Sequence, residues 1–209
     1  MEGSEGGAGA PRVEVIGVPG IPLIKPGDDL AKLICEAAER AGIGIRDGDV
    51  VVVAHVAVSK AEGALVDLSK VKPSVEAEII AEQIGKEPEL VEVILREARS
   101  IIRLRGQHLI TETHHGWICA NSGVDVSNVG GGRLAATLPK DPDASARRIR
   151  DRIRELTGRD VAVIIADTFG RPFRMGQVNV AIGCAGLEPV VDRRGERDLF
   201  GYELRVKQI

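Results

Sequence analysis

Aromatic residues make up only 2% of this 209-residue sequence, and its three cysteines, Cys35, Cys119 and Cys184, form no CxxC pair. The shortage of aromatic rings leaves few platforms on which nucleic-acid bases could stack. Scattered cysteines argue against a disulfide framework and favour a reducing compartment, so we expect a cytoplasmic protein. No apolar run is long enough to span a bilayer, and residues 1–11, a Gly- and Glu-rich stretch, are expected to be a disordered leader.

The charge balance narrows the range of partners. The formal net charge is -3, so the surface offers no general attraction for DNA, RNA or an acidic membrane. An anionic substrate would need a local basic cluster or metal ions. The arginine-rich stretch 147–154 is interpreted as a solvated helix face paired with Asp151 and Glu155, and not as a nucleic-acid site.

Apolar periodicity predicts a mixed α/β fold in which helices alternate with strands. Strands are predicted at 13–16, 50–54, 101–109 and 161–165, and helices at 28–42, 74–84, 88–98 and 144–156, the last capped by Asp143. The strands at 50–54 and 161–165 are apolar throughout, which is typical of strands buried on both faces. Lys60 follows the first of these strands and would meet a phosphate only if it projected from the strand end into a cleft.

Two acidic turns attract attention as a candidate site. Asp125 lies three residues from Ser122 and three from Asn128, and Asp167-Thr168 follows the apolar run 161–165. Acids at the ends of buried parallel strands are common in α/β ligand sites. Mg²⁺ and Mn²⁺ prefer carboxylate and hydroxyl oxygens, which favours one shared cation between the two turns. Equally, the two acids could simply close their turns as Asx caps.

Other chemistries fit the sequence less well. His114, His115 and Cys119 are potential zinc ligands, but adjacent residues of a strand point to opposite faces and no second Cys or His pair follows. A Cys119 nucleophile assisted by His115 is conceivable, yet the segment around Cys119 reads as a buried strand with an inert thiol. No GxxxxGK[ST] motif occurs, so any phosphate site is not a P-loop.

Five segments, taken in order, resemble the coenzyme F420-0:γ-glutamyl ligase family. They are VPGIPLI at 18–24, VSKAEG at 58–63, NSGVDVSN at 121–128, PKDPDASA at 139–146 and DTFGRPFR at 167–174. The resemblance covers the chain from Val13 onward. It implies an enzyme that adds L-glutamate to the free carboxylate of coenzyme F420-0 with GTP and divalent metal, and that extends the tail by γ-linkage. The expected route is an acyl-phosphate intermediate.

The resemblance also implies roles for individual residues and an architecture. Asp125, Asp167 and Thr168 would hold Mg²⁺ or Mn²⁺, with two ions expected. GTP would contact Lys60, Asn128 and the loop residues Pro19, Gly20, Ile21 and Pro22, and the catalytic residues would be Asp125, Asp167 and Arg171. The implied architecture has two domains of unusual topology, with mixed sheets and flanking helices, in an intertwined homodimer.

Two departures from the family pattern stand out. His55-Val56 occupies a position where family members often have small hydroxyl residues that contact GTP, so that contact is not transferred. The sequence ends near a strand-like stretch at 204–209, whereas family members continue with a helix and a loop that contact metal and nucleotide. We therefore expect residues 12–209 to form a ligase domain that lacks this C-terminal segment. There are two alternatives to an active F420-0 ligase. One is a catalytically inactive nucleotide- or metal-binding remnant, and the other is an amide ligase with another carboxylate acceptor.

Overall fold

The computed structural model describes residues 12–131, 133–170, 173 and 175–209 of the chain, and there it has the mixed α/β architecture that the sequence predicts. The α-helices of these residues are α1 (Leu30–Arg40), α2 (His55–Ala61), α3 (Val75–Ile84), α4 (Pro88–Glu97) and α5 (Pro142–Thr157). Short 3-10 helices occupy Leu68–Lys70 and Asn121–Gly123. Across the described ranges, we find no helix with the length and apolar character needed to cross a membrane.

The strands form three small sheets. They are β1 (Val50–Ala54), β2 (Leu65–Asp67), β3 (Ala98–Arg105), β4 (His108–Thr113), β5 (Ile118–Ala120), β6 (Leu134–Ala136), β7 (Ala162–Gly170) and β8 (Gln177–Ala185). The sheets have the strand orders β1-β7-β8, β2-β6 and β3-β4-β5. Among the strand pairs of the described residues, β1–β7 alone is parallel, so the carboxyl ends of these two strands meet at one edge.

The sheet β1-β7-β8 supports one of two buried clusters. Its central strand β7 contributes Val163 and Ile165, which are fully buried and pack with Ile153 of α5 and Val58 of α2. The prediction that β7 is buried on both faces is thus confirmed for its first half. The same prediction for β1 is wrong, because β1 is an edge strand and leaves Val52 62% exposed.

The second buried cluster joins α3 and α4 to the β3-β4-β5 sheet. Ile94 and Val91 of α4 and Leu109 of β4 are completely buried there. Helix α3 begins at its predicted cap, Ser74, whose side chain accepts from the backbone N–H of Ala77, and Pro88 occupies the first turn of α4. Both helices therefore form where the sequence predicts them.

Helix α5 starts with a different cap from the predicted one. Asp141, not Asp143, occupies the N-cap, and its Oδ1 accepts from the backbone N–H of Ala144 at 2.8 Å. The Asp143 carboxylate instead accepts from the backbone N–H of Cys184 in β8, also at 2.8 Å. Asp143 thus joins the helix to the sheet rather than capping the start of the helix. Gly158 terminates α5 in the left-handed conformation, as predicted.

The arginines of α5 form ion pairs at the surface; the predicted pairing with Glu155 is present, whereas Asp151 forms no ion pair among the described residues. Arg152 pairs with Glu155 of its own helix and also with Asp29, the N-cap of α1. Arg148 pairs with Glu62 and Arg150 with Asp160. These contacts join α5 to neighbouring elements, so this basic face is already partnered inside the protein.

Three local predictions are wrong in instructive ways. Residues 13–16 form no strand, since no partner strand pairs with them among the described residues and Val13 and Val15 are more than 90% exposed. The segment after β1 is not a strand end but helix α2. The single strand predicted at 101–109 is a hairpin, in which Gly106 (φ 57°) lies in the turn between β3 and β4.

Candidate functional site

The parallel register of β1 and β7 brings a histidine and an aspartate together. Ala54 lies opposite Ala166, so the next residue of each segment, His55 and Asp167, emerges at the same edge. His55 Nε2 is 3.1 Å from Asp167 Oδ1, and the two side chains are 5% and 11% exposed. Asp167 lies within β7 and not in a turn after it, which corrects the prediction from sequence.

Further donors fix the Asp167–Thr168 pair. The backbone N–H of Thr168 donates to Asp167 Oδ1 at 2.6 Å, and the same oxygen lies 3.1 Å from His55 Nε2. The Thr168 hydroxyl donates to Asn179 Oδ1 of β8 at 2.9 Å. The carboxylate and the hydroxyl are therefore held by three segments: β1–α2, β7 and β8.

Asp125 is presented by a tight left-handed turn. Asn121, Ser122 and Gly123 all have positive φ, at 54°, 54° and 70°. The backbone then exchanges two hydrogen bonds between Asp125 and Ala136, at 3.0 and 2.7 Å. The Asp125 carboxylate accepts from the backbone N–H of Ser127 at 2.7 Å and from its hydroxyl at 3.0 Å. The predicted Asx turn is thus present at Asp125.

Buried hydroxyls hold this turn in place. Ser122 is 1% exposed, and its Oγ donates to the carbonyl of Ile94 at 2.9 Å and lies 2.8 Å from the Thr111 hydroxyl. The Lys86 ammonium donates to Asn121 Oδ1 at 2.6 Å, and burial lowers the pKa of Lys86. These contacts tie the turn to α4, to β4 and to Lys86, which follows α3, and they offset the strain of its positive φ angles.

Two of the predicted nucleotide contacts meet directly. Lys60 lies in the last turn of α2, and its Nζ donates to the backbone carbonyl of Asn128 at 2.9 Å. The two residues are 68 positions apart in the sequence. Lys60 thus meets the condition set for a phosphate contact, because it projects toward a cleft, although it starts from a helix and not from a strand end.

These groups line one cavity of about 860 Å³. Its walls include all of Asp125, Asp167, Thr168, Lys60 and Asn128, with His55, Asn121, Gln177 and Asn179 beside them. The cavity has the size of a small-molecule site. The structure therefore collects five predicted site residues, drawn from three separate stretches of the chain, around a single opening.

Other predicted residues do not converge there. The cavity wall includes Ile24 but not Pro19, Gly20, Ile21 or Pro22. Within that loop, the carbonyl of Gly20 accepts a hydrogen bond from Arg40 at 3.3 Å. Arg171 lies outside the described residues.

The histidines and the cysteine of the polar stretch 111–128 serve as scaffold. His114 Nε2 lies 3.0 Å from the Arg96 carbonyl. His115 stacks on Trp117 and its Nε2 lies 3.1 Å from the Pro139 carbonyl. Cys119 is 7% exposed, and burial, helped by the charge of Asp167, raises the pKa of its thiol to about 11. A thiol that stays protonated at neutral pH agrees with the inert thiol inferred from sequence.

His55 is the site residue that the sequence-based reasoning missed as a partner of Asp167. The sequence does contain a signal for this pairing, because His55 and Asp167 each follow an apolar run, and the two runs have matched lengths. That signal becomes usable only once β1 and β7 are known to be adjacent and parallel. The presence of Asn179 and Gln177 at the site could not be predicted either, since nothing in the sequence indicated that β8 would pair with β7.

Comparison with known proteins decides the family. The family model described as F420-0:Gamma-glutamyl ligase matches residues 20–209. The chain is 52% identical over 197 residues to a Coenzyme F420:L-glutamate ligase of Methanothermobacter thermautotrophicus, covering 94% of this chain and 78% of the relative. A protein of the same name from Methanopyrus kandleri is 52% identical over 198 residues, 95% of this chain and 76% of the relative. The chain belongs to the F420-0:γ-glutamyl ligase family.

Membership in the F420-0:γ-glutamyl ligase family makes the chain an enzyme of the ligase class that forms amide bonds. A third relative, the Coenzyme F420:L-glutamate ligase of Methanocaldococcus jannaschii, is 46% identical over 200 residues, 95% of this chain and 77% of that protein. The polar cavity lined by Asp125, Asp167 and Lys60 is therefore part of an enzyme that forms amide bonds.

The donors at this ligase cavity suit a hard cation that shares its coordination with substrate. Within the described ranges, no three His, Cys, Asp or Glu side chains come together as a metal site. The oxygens of Asp125, Asp167 and Thr168 are nevertheless on the cavity wall. Mg²⁺ is usually held by one or two carboxylates plus substrate phosphates, so two aspartates and a hydroxyl fit it without a third acid. Each Asp125 oxygen accepts one hydrogen bond and keeps a second lone pair.

Proposed function

We propose that the chain uses GTP to ligate L-glutamate to the carboxylate of coenzyme F420-0, extending the product by γ-linkage. The observation that carries this proposal is the single cavity lined by Asp125, Asp167, Thr168, Lys60 and Asn128. Two carboxylates and one ammonium on one wall suit a triphosphate bound with divalent metal. The family assignment supplies the reaction class.

The proposed chemistry has two steps. The γ-phosphoryl group of GTP is transferred to an oxygen of the F420-0 carboxylate, which gives GDP and an acyl phosphate. The glutamate amine then attacks the acyl carbon, the C–N bond forms, the C–O bond to phosphate breaks, and the amine loses a proton. Bound Mg²⁺ or Mn²⁺, with two ions expected, would neutralise charge on the phosphates.

The chain's own residues position the reactants in this scheme. Asp125, Asp167 and Thr168 would hold the metal. The Lys60 ammonium donates to the Asn128 carbonyl at 2.9 Å, so it lies beside the other residue expected to contact GTP. It keeps two further N–H donors for a phosphate. Arg171, four residues beyond Asp167, would orient anions on the substrate side.

A turnover assay tests the function. The protein is incubated with coenzyme F420-0, L-glutamate, GTP and Mn²⁺, and mass spectrometry detects a mass increase of one glutamyl residue. Omitting GTP should abolish the product, and GDP and phosphate should form in equal amounts with it. GTP binding without product would instead indicate an inactive remnant, and product with another acceptor only would indicate a different amide ligase.

Asparagine substitutions test the metal-binding aspartates. Asp125→Asn and Asp167→Asn keep the shape and the acceptor oxygen of each side chain, so the fold should persist, while ligation should fall at least about 100-fold because a charged ligand is lost. Asp160→Asn is the matched control, since Asp160 is an exposed aspartate that pairs with Arg150 at the surface. Turnover by either variant at the wild-type rate under limiting Mn²⁺ would refute the metal assignment.

We also propose that the enzyme acts as a two-domain protein in an intertwined homodimer. The support is the exposure of large apolar side chains in the C-terminal segment, where Leu199 is fully exposed and Phe200 is 95% exposed. Such side chains are usually covered in an assembly. Sedimentation equilibrium should give twice the chain mass of 22.3 kDa, and a monomer at micromolar concentration would contradict the proposal.

A further inference from the structure

His55 is the most deeply buried titratable side chain on the wall of the cavity. It is 4% exposed and follows directly on β1, whose register with β7 sets it beside Asp167. A buried polar ring at this place is costly unless it is hydrogen-bonded. Its Nε2 lies 3.1 Å from Asp167 Oδ1, within reach of a hydrogen bond.

The contact between His55 and Asp167 makes the surroundings of the two Asp167 carboxylate oxygens different. Oδ1 accepts from the backbone N–H of Thr168 and lies 3.1 Å from His55 Nε2, so a proton on Nε2 would occupy its second lone pair. The hydrogen bonds found for this carboxylate in the described part of the chain all go to Oδ1. The oxygen left for a ligand in the cavity is therefore Oδ2.

We propose that His55 is a positioning residue: its Nε2–H holds Asp167 Oδ1 and thereby fixes the carboxylate so that Oδ2 faces a divalent cation. This inference rests on the proposed function, because it assumes that Asp167 is a metal ligand. A partner that orients a coordinating carboxylate is worth about 10- to 100-fold in metal affinity. His55 itself touches neither metal nor substrate in this role.

The opposite ring nitrogen is consistent with this assignment. His55 Nδ1 is buried and has no hydrogen-bond partner among the described residues. The orientation of the His55 ring therefore depends on its contact through Nε2 and on the packing around it. The carboxylate oxygen can only accept, so the proton of this hydrogen bond belongs to Nε2.

Two substitutions separate the hydrogen bond from the bulk of the ring. His55→Gln keeps a donor near the Nε2 position, whereas His55→Leu fills similar space without one. Mn²⁺ affinity is measured on the full chain by electron paramagnetic resonance, with GTP bound and without F420-0, and kcat and the KM for Mn²⁺ are measured in parallel. We expect His55→Leu to weaken Mn²⁺ binding about 10-fold or more and to raise the KM for Mn²⁺. His55→Gln should stay within about threefold of wild type.

Controls distinguish the two possible failures. If wild-type protein binds no Mn²⁺, or if Asp167→Asn binds it as well as wild type, the proposed metal site fails. If Asp167→Asn loses Mn²⁺ while His55→Leu keeps wild-type affinity, only the positioning role is overturned. His114→Leu is the matched control, because His114 bonds the Arg96 carbonyl and does not line the cavity.

A spectroscopic measurement on wild-type protein tests the same hydrogen bond even if His55→Leu folds poorly. Long-range ¹H–¹⁵N correlation spectra, assigned by comparison with His55→Gln, report which ring nitrogen of His55 carries the proton. We expect a proton on Nε2. A His55 ring with Nε2 unprotonated would overturn the proposal whatever the binding data show.

Discussion

Substituting Gly123 by alanine should destabilise the turn that presents Asp125. Gly123 has φ +70°, and a Cβ there would lie 2.7–2.8 Å from Cγ and both Cδ atoms of Leu138, a side chain that is 4% exposed. A left-handed alanine costs about 1–2 kcal/mol, and forcing a methyl group into a packed core costs about 1–3 kcal/mol. We therefore expect the free energy of unfolding to fall by about 2–5 kcal/mol.

A control substitution separates the steric cost of Gly123→Ala from the cost of its left-handed backbone. Gly158 also has φ +70°, yet a Cβ there would meet nothing within 4 Å. Gly158→Ala should lose only the conformational part, about 1–2 kcal/mol. Urea unfolding followed by circular dichroism gives both values, and the difference between the two variants is the cost of the Leu138 contact.

A double-mutant cycle completes the test. Leu138→Ala removes the atoms that the new Cβ would strike, so Gly123→Ala should cost about 1–3 kcal/mol less in that background than in wild type. A Gly123→Ala protein as stable as Gly158→Ala would refute the close approach of Gly123 to Leu138. Equal costs of Gly123→Ala with and without Leu138 would refute it independently.

Two further predictions concern titratable groups. Because the thiol pKa of Cys119 is raised to about 11, its thiolate fraction at pH 8 is about 0.001, and mass-resolved alkylation should modify Cys119 far more slowly than a free thiol model compound. Burial alone would raise the pKa of Asp29, but hydrogen bonds from the Lys32 backbone and the Arg152 side chain outweigh it and lower that pKa. Asp29 therefore adds stability above its unfolded pKa, about 3.9, which is lost as pH falls through the folded value. Asp29→Asn should flatten the stability curve in that acidic range, and an unchanged pH dependence of urea unfolding would contradict this.

Much of the fold was predictable because the helices carry local signals. In α3, Ser74 caps the first turn and Gly85 ends the helix with φ 67°, so both boundaries appear in the sequence. Helix α2 carries no such signal. Its N-cap residue, Ala54, makes no side-chain cap, and its seven residues continue the apolar run of β1. It is stabilised by the burial of Val58 and His55, and burial of this kind cannot be derived from local sequence.

Sheet order explains the error at β1. Four consecutive valines predict a strand buried on both faces, yet β1 lies at the edge of a three-stranded sheet and exposes Val50 and Val52. The apolar run is a property of the segment, whereas its burial depends on which strands pair with it. The described residues contain no further strand on that side of β1.

The candidate site shows the same division between local and long-range information. The Asx turn at Asp125 follows from an aspartate two residues before a serine, and the structure contains it. Lys60 and Asn128 are 68 residues apart, and only the resemblance to a family placed both at one nucleotide site; their direct hydrogen bond was not predicted. The loop Pro19–Pro22 was expected on the same basis, but only its neighbour Ile24 reaches the cavity wall.

The position of Asp167 shows why a strand-end rule finds a site without finding its partners. The rule predicts a polar group where a buried apolar run stops, and Asp167 satisfies it. Pairing continues beyond that point, however, because β8 runs antiparallel along β7 from Val163 to Gly170 and places Asn179 opposite Thr168. On the other side β1 stops at Ala54, so β7 extends past its neighbour there and leaves Asp167 beside His55. The unequal lengths of β1 and β8 thus determine which side of β7 opens into the cavity.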